Sequence, residues 1–569
     1  MRQAILNKTV LFLSLLLVGS IAFAQNRQLT GKVVDQNGEP VIGASVVVVG
    51  NNTLGAVTGA DGTYRLMVPA NASVTASCIG YTSQTVAVAG RSVVDFTLEE
   101  DSEFLEETVV IGYGVQKKSD LTGSVASVRS TDLMDRSVSN AGAALQGKAA
   151  GVMVYTNSGA PGESAHIRVR GISSNSSSGL GPLLIVDGLK VDNIQYLDPD
   201  MIESMEVLKD AASAAIYGAQ AGNGVVLITT KNGSKSKDGN IFYNYKHTVT
   251  SLARHAQVLN AEQFIDWQHT ANQLGPREEL IANGTWDGVT DTNWADVLYG
   301  KGITRNHTIG AQGGNDRGSY YLSLNYVDEN GMAYGDKDYY KRLTAQINAD
   351  YKVKSWMQVG TNTSIERYQK ADVGSPDEYG GTLLGALIID PLTPVYFNSV
   401  DEMPTNMRSA YLDGYTIDGV HYDYNFYGEN GKFYSTSRIL DGDGVNPLLN
   451  IARRNSDSEG WNIRGTLYAN FTPVKGLTVT SRLGYRIAQS YSSSYSEPYY
   501  VNPKHYSQSY SISASSSQSY YYQWENFANY NRTFGKHAIG AMAGMSYTFN
   551  DSRGVNAGLS GTDPLKSYE

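Results

Sequence analysis

The chain has a single cysteine, Cys78, among 569 residues, which excludes an internal disulfide framework. Proline is scarce at 15. Past the first two dozen residues no apolar run approaches the roughly 20 residues that a membrane-crossing helix needs. Positive charge is also short: 45 Lys and Arg face 55 Asp and Glu, a formal net charge of −10. That balance argues against nucleic acid as a partner, because phosphate backbones are held by basic surfaces. The usual signatures of chemistry are missing too. The eight histidines (166, 247, 255, 269, 307, 421, 505 and 537) have neither H-E-x-x-H nor paired spacing, and there is no G-x-S-x-G nucleophile elbow. Gly142 to Ala149 approaches a phosphate-binding loop, but Ala149 stands where a magnesium-holding hydroxyl is needed. The run Asp441-Gly442-Asp443-Gly444-Val445-Asn446 lacks the spaced third ligand and the distal Glu of a calcium loop, so it reads as a turn. These absences predict no catalytic residues, no metal and no cofactor.

What the chain does have is glycine, 59, and tyrosine, 39. The first 24 residues read as a cleaved export signal. Arg2 and Lys8 precede the apolar core Val10 to Val18, and Ala22-Phe23-Ala24 supplies the small-x-small site before Gln25. Residues 25–99 carry short β-prone runs at Leu29 to Val34, Ala44 to Val49, Thr63 to Val68, Val74 to Cys78, Thr85 to Val88 and Val93 to Leu98. Turn signals lie between them at Asp35 to Gly38, Gly50 to Asn52 and Ala60 to Gly62. Such spacing predicts a small antiparallel β-sandwich, with Cys78 packed as a small apolar residue. An acidic, solvated stretch from Glu99 to Glu107 follows. It leads into the mostly apolar run Thr108-Val109-Val110-Ile111-Gly112-Tyr113-Gly114, a strand able to pair with a partner's exposed sheet edge through its main chain. Residues 115–233 mix helix and strand: an Ala-rich helical stretch at Ala141 to Ala149, strands at Ile167 to Arg170 and Leu183 to Val186, and strand and turn near a short helix over Pro199 to Lys209.

From about 238 the pattern changes to long period-two alternation. Ile241, Tyr243, Tyr245, His247 and Val249 share one face, against Asn244, Lys246, Thr248 and Thr250. Leu343, Ala345, Ile347, Ala349 and Tyr351 are returned by Met357, Val359, Thr361, Thr363 and Ile365 after a short turn at Lys352 to Ser355. Ile463, Leu467, Ala469 and Phe471 turn at Thr472 to Gly476 into Leu477, Val479, Leu483, Tyr485 and Ile487. Segments of roughly ten residues, apolar toward lipid and polar toward the lumen, mark a transmembrane β-barrel. About nine strands fit into 238–569. Plugged transporters have about 22, and an unclosed sheet would leave backbone groups unpaired in hydrocarbon. The expectation is therefore a partial barrel from a longer, truncated or split gene product. The tyrosine-rich stretches 415–434 and 491–522 read as long loops suited either to sugar rings or to packing on one another.

Several segments carry a resemblance. GKVVDQNGEPVIGASVVVVG with TGADGTYRLMV looks like the non-catalytic carboxypeptidase-regulatory-like domain. EETVVIGYG followed by QKKSDLTGSVASV is similar to the TonB box and plug start of SusC-like proteins. LQGKAAGVMV, IRVRGISS, PLLIVDG and MIESMEVLKDAASAAIYGAQAGNGVVLITTKNG resemble, in order, the plug of the SusC/RagA family. One departure is Gln220, where a basic residue is expected. The resemblance implies a mainly β protein: signal peptide 1–24, regulatory-like sandwich 25–99, linker and TonB box 100–114 with the box at 108–114, α/β plug 115–233, and partial barrel 238–569. It implies an outer-membrane location with the front domains periplasmic, energy from the TonB–ExbB–ExbD complex, a SusD-like surface lipoprotein as lid, and a large oligosaccharide or peptide as cargo. Alternatives on the same scaffold are a siderophore- or cobalamin-type receptor, or a signalling or adhesive surface protein.

Overall fold

The computed structural model of the chain describes residues 26–36, 38–49, 51–69, 72–78, 81–99, 108–111, 114–117, 124–171, 181–210, 214–233, 239–254, 256–335, 337–373, 382–440, 444–535 and 537–561. The expected signal peptide, the acidic stretch 100–107, Gly112, Tyr113 and Asp441 to Asp443 lie outside these residues. The chain divides into two compact units, Met1–Thr108 with Lys117–Asp120, and Val109–Gln116 with Leu121–Glu569.

The first unit is a β-sandwich of two sheets. One joins Thr63–Pro69, Asn26–Asp35 and Phe96–Leu98; the other runs in the order Asn51–Val57, Ser45–Val48, Ser73–Ser77, Gln84–Ala87. Alternation puts every second side chain inside: Tyr64, Leu66 and Val68 are buried along one strand, and Val74 and Ala76 along another. They meet Leu29, Val33, Val46, Phe96 and Leu98 in one core. Each fully buried large side chain there is worth about 1.5–3 kcal/mol. Cys78 packs at the margin of that core, partly buried.

Two expectations need correction. Asn51 and Asn52 do not turn; they begin a strand, Asn51–Val57, that pairs with Ser45–Val48. The sandwich is also not wholly antiparallel. Val33 to Asp35 run parallel to Phe96 to Leu98, because these strands, first and last in the unit, are joined through the whole of it rather than by a hairpin.

The second unit holds the plug. Its five-stranded mixed sheet is ordered Val125–Arg129, Ile202–Leu208, Val225–Thr230, Leu183–Val186, Leu189–Val191, and a hairpin pairs Val152–Tyr155 with His166–Val169. The Ala-rich stretch is helical only over Ala141–Ala144, with Asn140 as N-cap, and not through Ala149. The helix ends at Ala144 with Leu145 as C-cap, and Gly147 beyond it takes a left-handed φ of 75°.

Nine antiparallel strands follow in one sheet, each hydrogen-bonded to the next in chain order: Asn240–Ser251, Lys301–Asn315, Gly318–Asn330, Tyr339–Lys354, Met357–Ala371, Asn455–Val474, Leu477–Ser496, Tyr510–Phe534 and His537–Gly561. Lys301–Asn315 was not foreseen from its sequence. The expected loop 491–522 is mostly strand, since serine pairs such as Ser494–Ser513 and Ser496–Ser511 face each other across the ladder. These strands far exceed the expected ten residues: Tyr510–Phe534 has 25. At about 3.3 Å per residue and a tilt near 40°, that spans about 60 Å along the membrane normal, roughly twice the apolar band of a barrel.

The sheet is inside out compared with a water-soluble sandwich. One rung runs Ile309, Leu324, Ala345, Ile365, Ile463, Ile487 across six strands, and its apolar face is bare: Ile309 is 51% and Leu324 50% exposed. The next rung, on the opposite face, runs Thr308, Asn325, Thr344, Glu366. There Asn325 and Thr344 are fully buried against the plug. A sheet that hides Asn and Thr while presenting Ile and Leu has hydrocarbon as its solvent on that face. Tight turns at 316–317, 355–356, 475–476 and Gly535 lie at one rim, and the described residues of the connections 252–300, 331–338, 372–454 and 497–509 lie at the other.

Candidate functional site

The site is the seam where the plug meets the inner face of the sheet. The plug motif PLLIVDG folds as a tight hairpin. Asp187 (φ 48°) and Gly188 (φ 83°) are its two turn residues, between Leu183–Val186 and Leu189–Val191. Two positive φ values are what a two-residue hairpin with native twist demands, which explains the Asp-Gly pair. The Asp187 carboxylate accepts from Thr230 N (2.9 Å) and Thr230 Oγ1 (2.6 Å). Burial pushes its pKa up, opposed by Thr230 and by the Arg482 guanidinium. At the tip, Gln523 Nε2 donates to Gly188 O at 3.0 Å. A Cβ on Gly188 would sit 2.0 Å from Arg482 Nη1, so a side chain there would both strain the φ of +83° and displace the Arg482 guanidinium. Arg482 is held by Glu525 through Nε (3.0 Å) and Nη2 (2.6 Å).

A second node forms where Asp198 N-caps the short 3-10 turn Pro199–Met201. Asp198 is fully buried and Asp200 is 2% exposed. Lys246 Nζ reaches Asp200 at 2.8 Å and Asp198 at 3.6 Å. Asn306 donates to Asp198 at 2.6 Å and Asn325 does so at 3.4 Å. Burial raises the pKa of Asp198, with Lys246 the main opposing influence. Arg342, 1% exposed, donates to Gln195 O, to Ser139 O (3.0 Å) and to Asn325 Oδ1 (3.0 Å), so one guanidinium ties two plug carbonyls to the wall. Asn348 donates to Thr230 Oγ1 (2.6 Å) and Lys231 O (2.8 Å).

Further cations complete the seam. Arg464 pairs with Glu366 at 2.8 Å and stacks 3.7 Å over the Tyr196 ring, and Arg486 meets Asp192 at 2.8 Å. The plug thus offers Asp192, Asp198, Asp200 and the carbonyls of Ser139 and Gln195, and the wall answers with Lys246, Arg342 and Arg486, while Arg464 and Arg482 pair with the wall's own Glu366 and Glu525. The charges of Asp198, Asp200 and Glu366, removed from water, persist only when paired and hydrogen-bonded, and breaking one such pair costs several kcal/mol; the pair at Asp192, 73% exposed, contributes little. Toward the loop rim the seam opens into a polar cavity of about 410 Å³ lined by Glu163, His166, Tyr368, Lys370, Asn462 and Arg464 among others.

Lys246 was placed on the lumen face by alternation. Arg342, Arg464, Arg482 and Arg486 were not singled out, although each stands at a lumen-parity position among outward apolar residues, which was the available signal. Gln220 accepts from Lys190 at 2.7 Å, an internal plug contact. In the P-loop-like run, Lys148 pairs with Asp135 at 2.9 Å. The expected single strand 108–114 differs in the structure, where Thr108–Ile111 and Gly114–Lys117 are two short strands paired with each other. The tyrosines of 415–434 and 499–507 pack on one another: Tyr415 lies 4.5 Å from Tyr424, and Tyr424 lies 5.4 Å from Tyr500.

Comparison with known proteins bears on this arrangement. Residues 117–225 match the TonB-dependent Receptor Plug Domain, and residues 29–110 match the CarboxypepD_reg-like domain. The chain is 36% identical over 386 residues to the TonB-dependent receptor SusC of Bacteroides thetaiotaomicron, covering 66% of this chain and 37% of that protein. It is 30% identical over 561 residues to the TonB-dependent receptor P3 of Formosa agariphila, covering 97% and 51%. Among solved structures, the RagAB peptide importer in its open-open state superposes with a TM-score of 0.65 at 26% identity, covering 81% of this chain and 51% of that one. The chain spans about half the length of these relatives, or less.

Proposed function

The chain belongs to the SusC/RagA family of TonB-dependent transporters of the outer membrane, and from that premise we propose that it serves active import of a large nutrient, an oligosaccharide or a peptide. The observation that carries this reading is the buried charge seam. A globule that fills the lumen and is held by paired Asp, Lys and Arg blocks free diffusion, so passage requires work. The outer membrane stores no ion gradient, and the work arrives from a periplasm-spanning partner, TonB with ExbB and ExbD, acting on Thr108 to Gly114. A SusD-like lipoprotein caps the loop rim. One similar protein supports the peptide class directly: RagAB is a peptide importer.

The test is deletion of residues 107–114 from the transporter that carries this sequence. Uptake of labelled cargo is abolished while binding at the cell surface persists. Uptake that survives the deletion removes 108–114 from the energy-coupling role.

A further inference from the structure

Charge is segregated along the barrel axis. The long connections are acidic: 252–300 carry seven Asp and Glu against two Lys and Arg, and 372–454 carry twelve against five. The opposite rim inverts this. Arg317, Lys352, Lys354, Lys475 and Arg532 stand exposed at or beside its four tight turns, and Asp316 is the one acid in segments 316–317, 352–356, 474–476 and 532–535. Among the described residues none of these five cations is in an ion pair. Interleaved with them are bare apolar side chains: Val353, Trp356, Val474 and Phe534, between 44% and 58% exposed. Trp356 stacks on Phe471 with centroids 6.3 Å apart, and the Arg532 guanidinium lies 4.8 Å over the Phe534 ring.

We propose that this rim is a docking ring for anionic glycerophospholipid of the periplasmic leaflet, its cations holding headgroup phosphates while Trp356, Val474 and Phe534 sit among the first acyl carbons. The proposal rests on the membrane reading above, which makes the tight-turn rim the periplasmic one. Two features select an amphipathic lipid over a soluble polyanion. Four of the five, Lys352, Lys354, Lys475 and Arg532, stand within a residue or two of apolar side chains that only hydrocarbon satisfies. The turns also recur every two strands, about 10 Å apart, so that cationic and apolar groups alternate along the membrane surface. Long basic side chains at such a boundary bury their stems and extend their charge to the phosphates, and an aromatic ring at the same level fixes the depth. In a chain of net charge −10, a belt of five cations with one acid needs an anionic neighbour.

The experiment is tryptophan quenching in the purified transporter, reconstituted into phosphatidylcholine vesicles doped with bromo-acyl phosphatidylglycerol or bromo-acyl phosphatidylcholine. Trp356→Phe isolates the rim signal. At low ionic strength the rim should favour phosphatidylglycerol by about fivefold for each cation engaged. The preference should fall to near one in the variant Arg317→Gln/Lys352→Gln/Lys354→Gln/Lys475→Gln/Arg532→Gln and in 0.5 M salt. Undiminished quenching by bromo-phosphatidylcholine certifies that this variant is inserted and folded. Equal quenching by both lipids in the wild type, or a preference that survives neutralisation, overturns the proposal. Loss of binding to a soluble acidic peptide without any lipid preference also overturns it, and gives the rim to a soluble partner. If neither bromo-lipid quenches Trp356, the membrane reading itself has failed, which is a distinguishable result.

Discussion

Arg342 gives the sharpest test of how the plug is held. Its guanidinium is fully buried, and it supplies donors to the carbonyls of Ser139 and Gln195, two plug segments with no other wall cation on those atoms among the described residues. Arg342→Ala leaves both carbonyls without that partner inside a closed seam. Each orphaned buried acceptor costs about 1–3 kcal/mol. Arg342 Nε already lacks a partner among the described residues, so part of the arginine's own desolvation cost is relieved on removal, and the lower half of that range applies. The sum is about 3 kcal/mol, a factor of roughly 150 in the population of a locally open seam. Amide exchange reads it directly. The bond from Ala141 N to Leu197 O (2.9 Å) and that from Leu197 N to Ile194 O (3.2 Å) lie between the two anchored segments. Both amides should exchange about a hundredfold faster in Arg342→Ala, while Val33 and Val46 in the front sandwich keep their rates. Arg342→Lys should recover little, because a single ammonium cannot span both carbonyls. Rates at Ala141 and Leu197 within threefold of wild type would refute the claim that this guanidinium fastens the plug. So would a uniform acceleration through the wall strands, which would mark global unfolding.

Three other outcomes are expected. Leu467→Lys, at a position 48% exposed, would cost less than about 0.5 kcal/mol in a water-soluble sheet but about 2–4 kcal/mol facing lipid; heat-modifiable mobility after folding into vesicles should reveal a large assembly defect. Gly188→Ala forces a Cβ to within 2.0 Å of Arg482 Nη1 at φ +83°, so protease cleavage in the plug should rise markedly, and an unchanged cleavage pattern would count against the tight seat of this hairpin. Tyr64, buried with its hydroxyl donating to Val94 O at 2.7 Å, has a pKa pushed up to about 12 by desolvation, with Asp95 adding to the effect. Its folded value exceeds the unfolded 10, so its contribution is intact below pH 10 and is lost as pH rises through about 12. The urea midpoint of the front sandwich should fall over that window in wild type and hold level in Tyr64→Phe.

Local pattern and composition were enough to establish several things. Period-two alternation assigned the outward and inward faces of most wall strands, and short β-prone runs between turn signals marked the front sandwich. These are readable because they depend on neighbours in sequence: parity along a strand, φ at a turn, a short apolar run. Lys301–Asn315 escaped notice because its outward face carries only Ile303, His307, Ile309 and Ala311 between glycines and polar residues, so its strand character comes from the two strands that clamp it. The serine-tyrosine run 491–522 read as loop for the same reason, and became mostly strand through cross-ladder partners such as Ser494–Ser513 and Ser496–Ser511. The charges of the seam were visible one by one and meaningless alone. Asp198 and Lys246, or Asp187 and Arg482, are far apart in the chain, and what they do is decided by which of them share a dry interior. That is a property of the folded plug inside its wall, where removing water makes an unpaired charge too costly to keep.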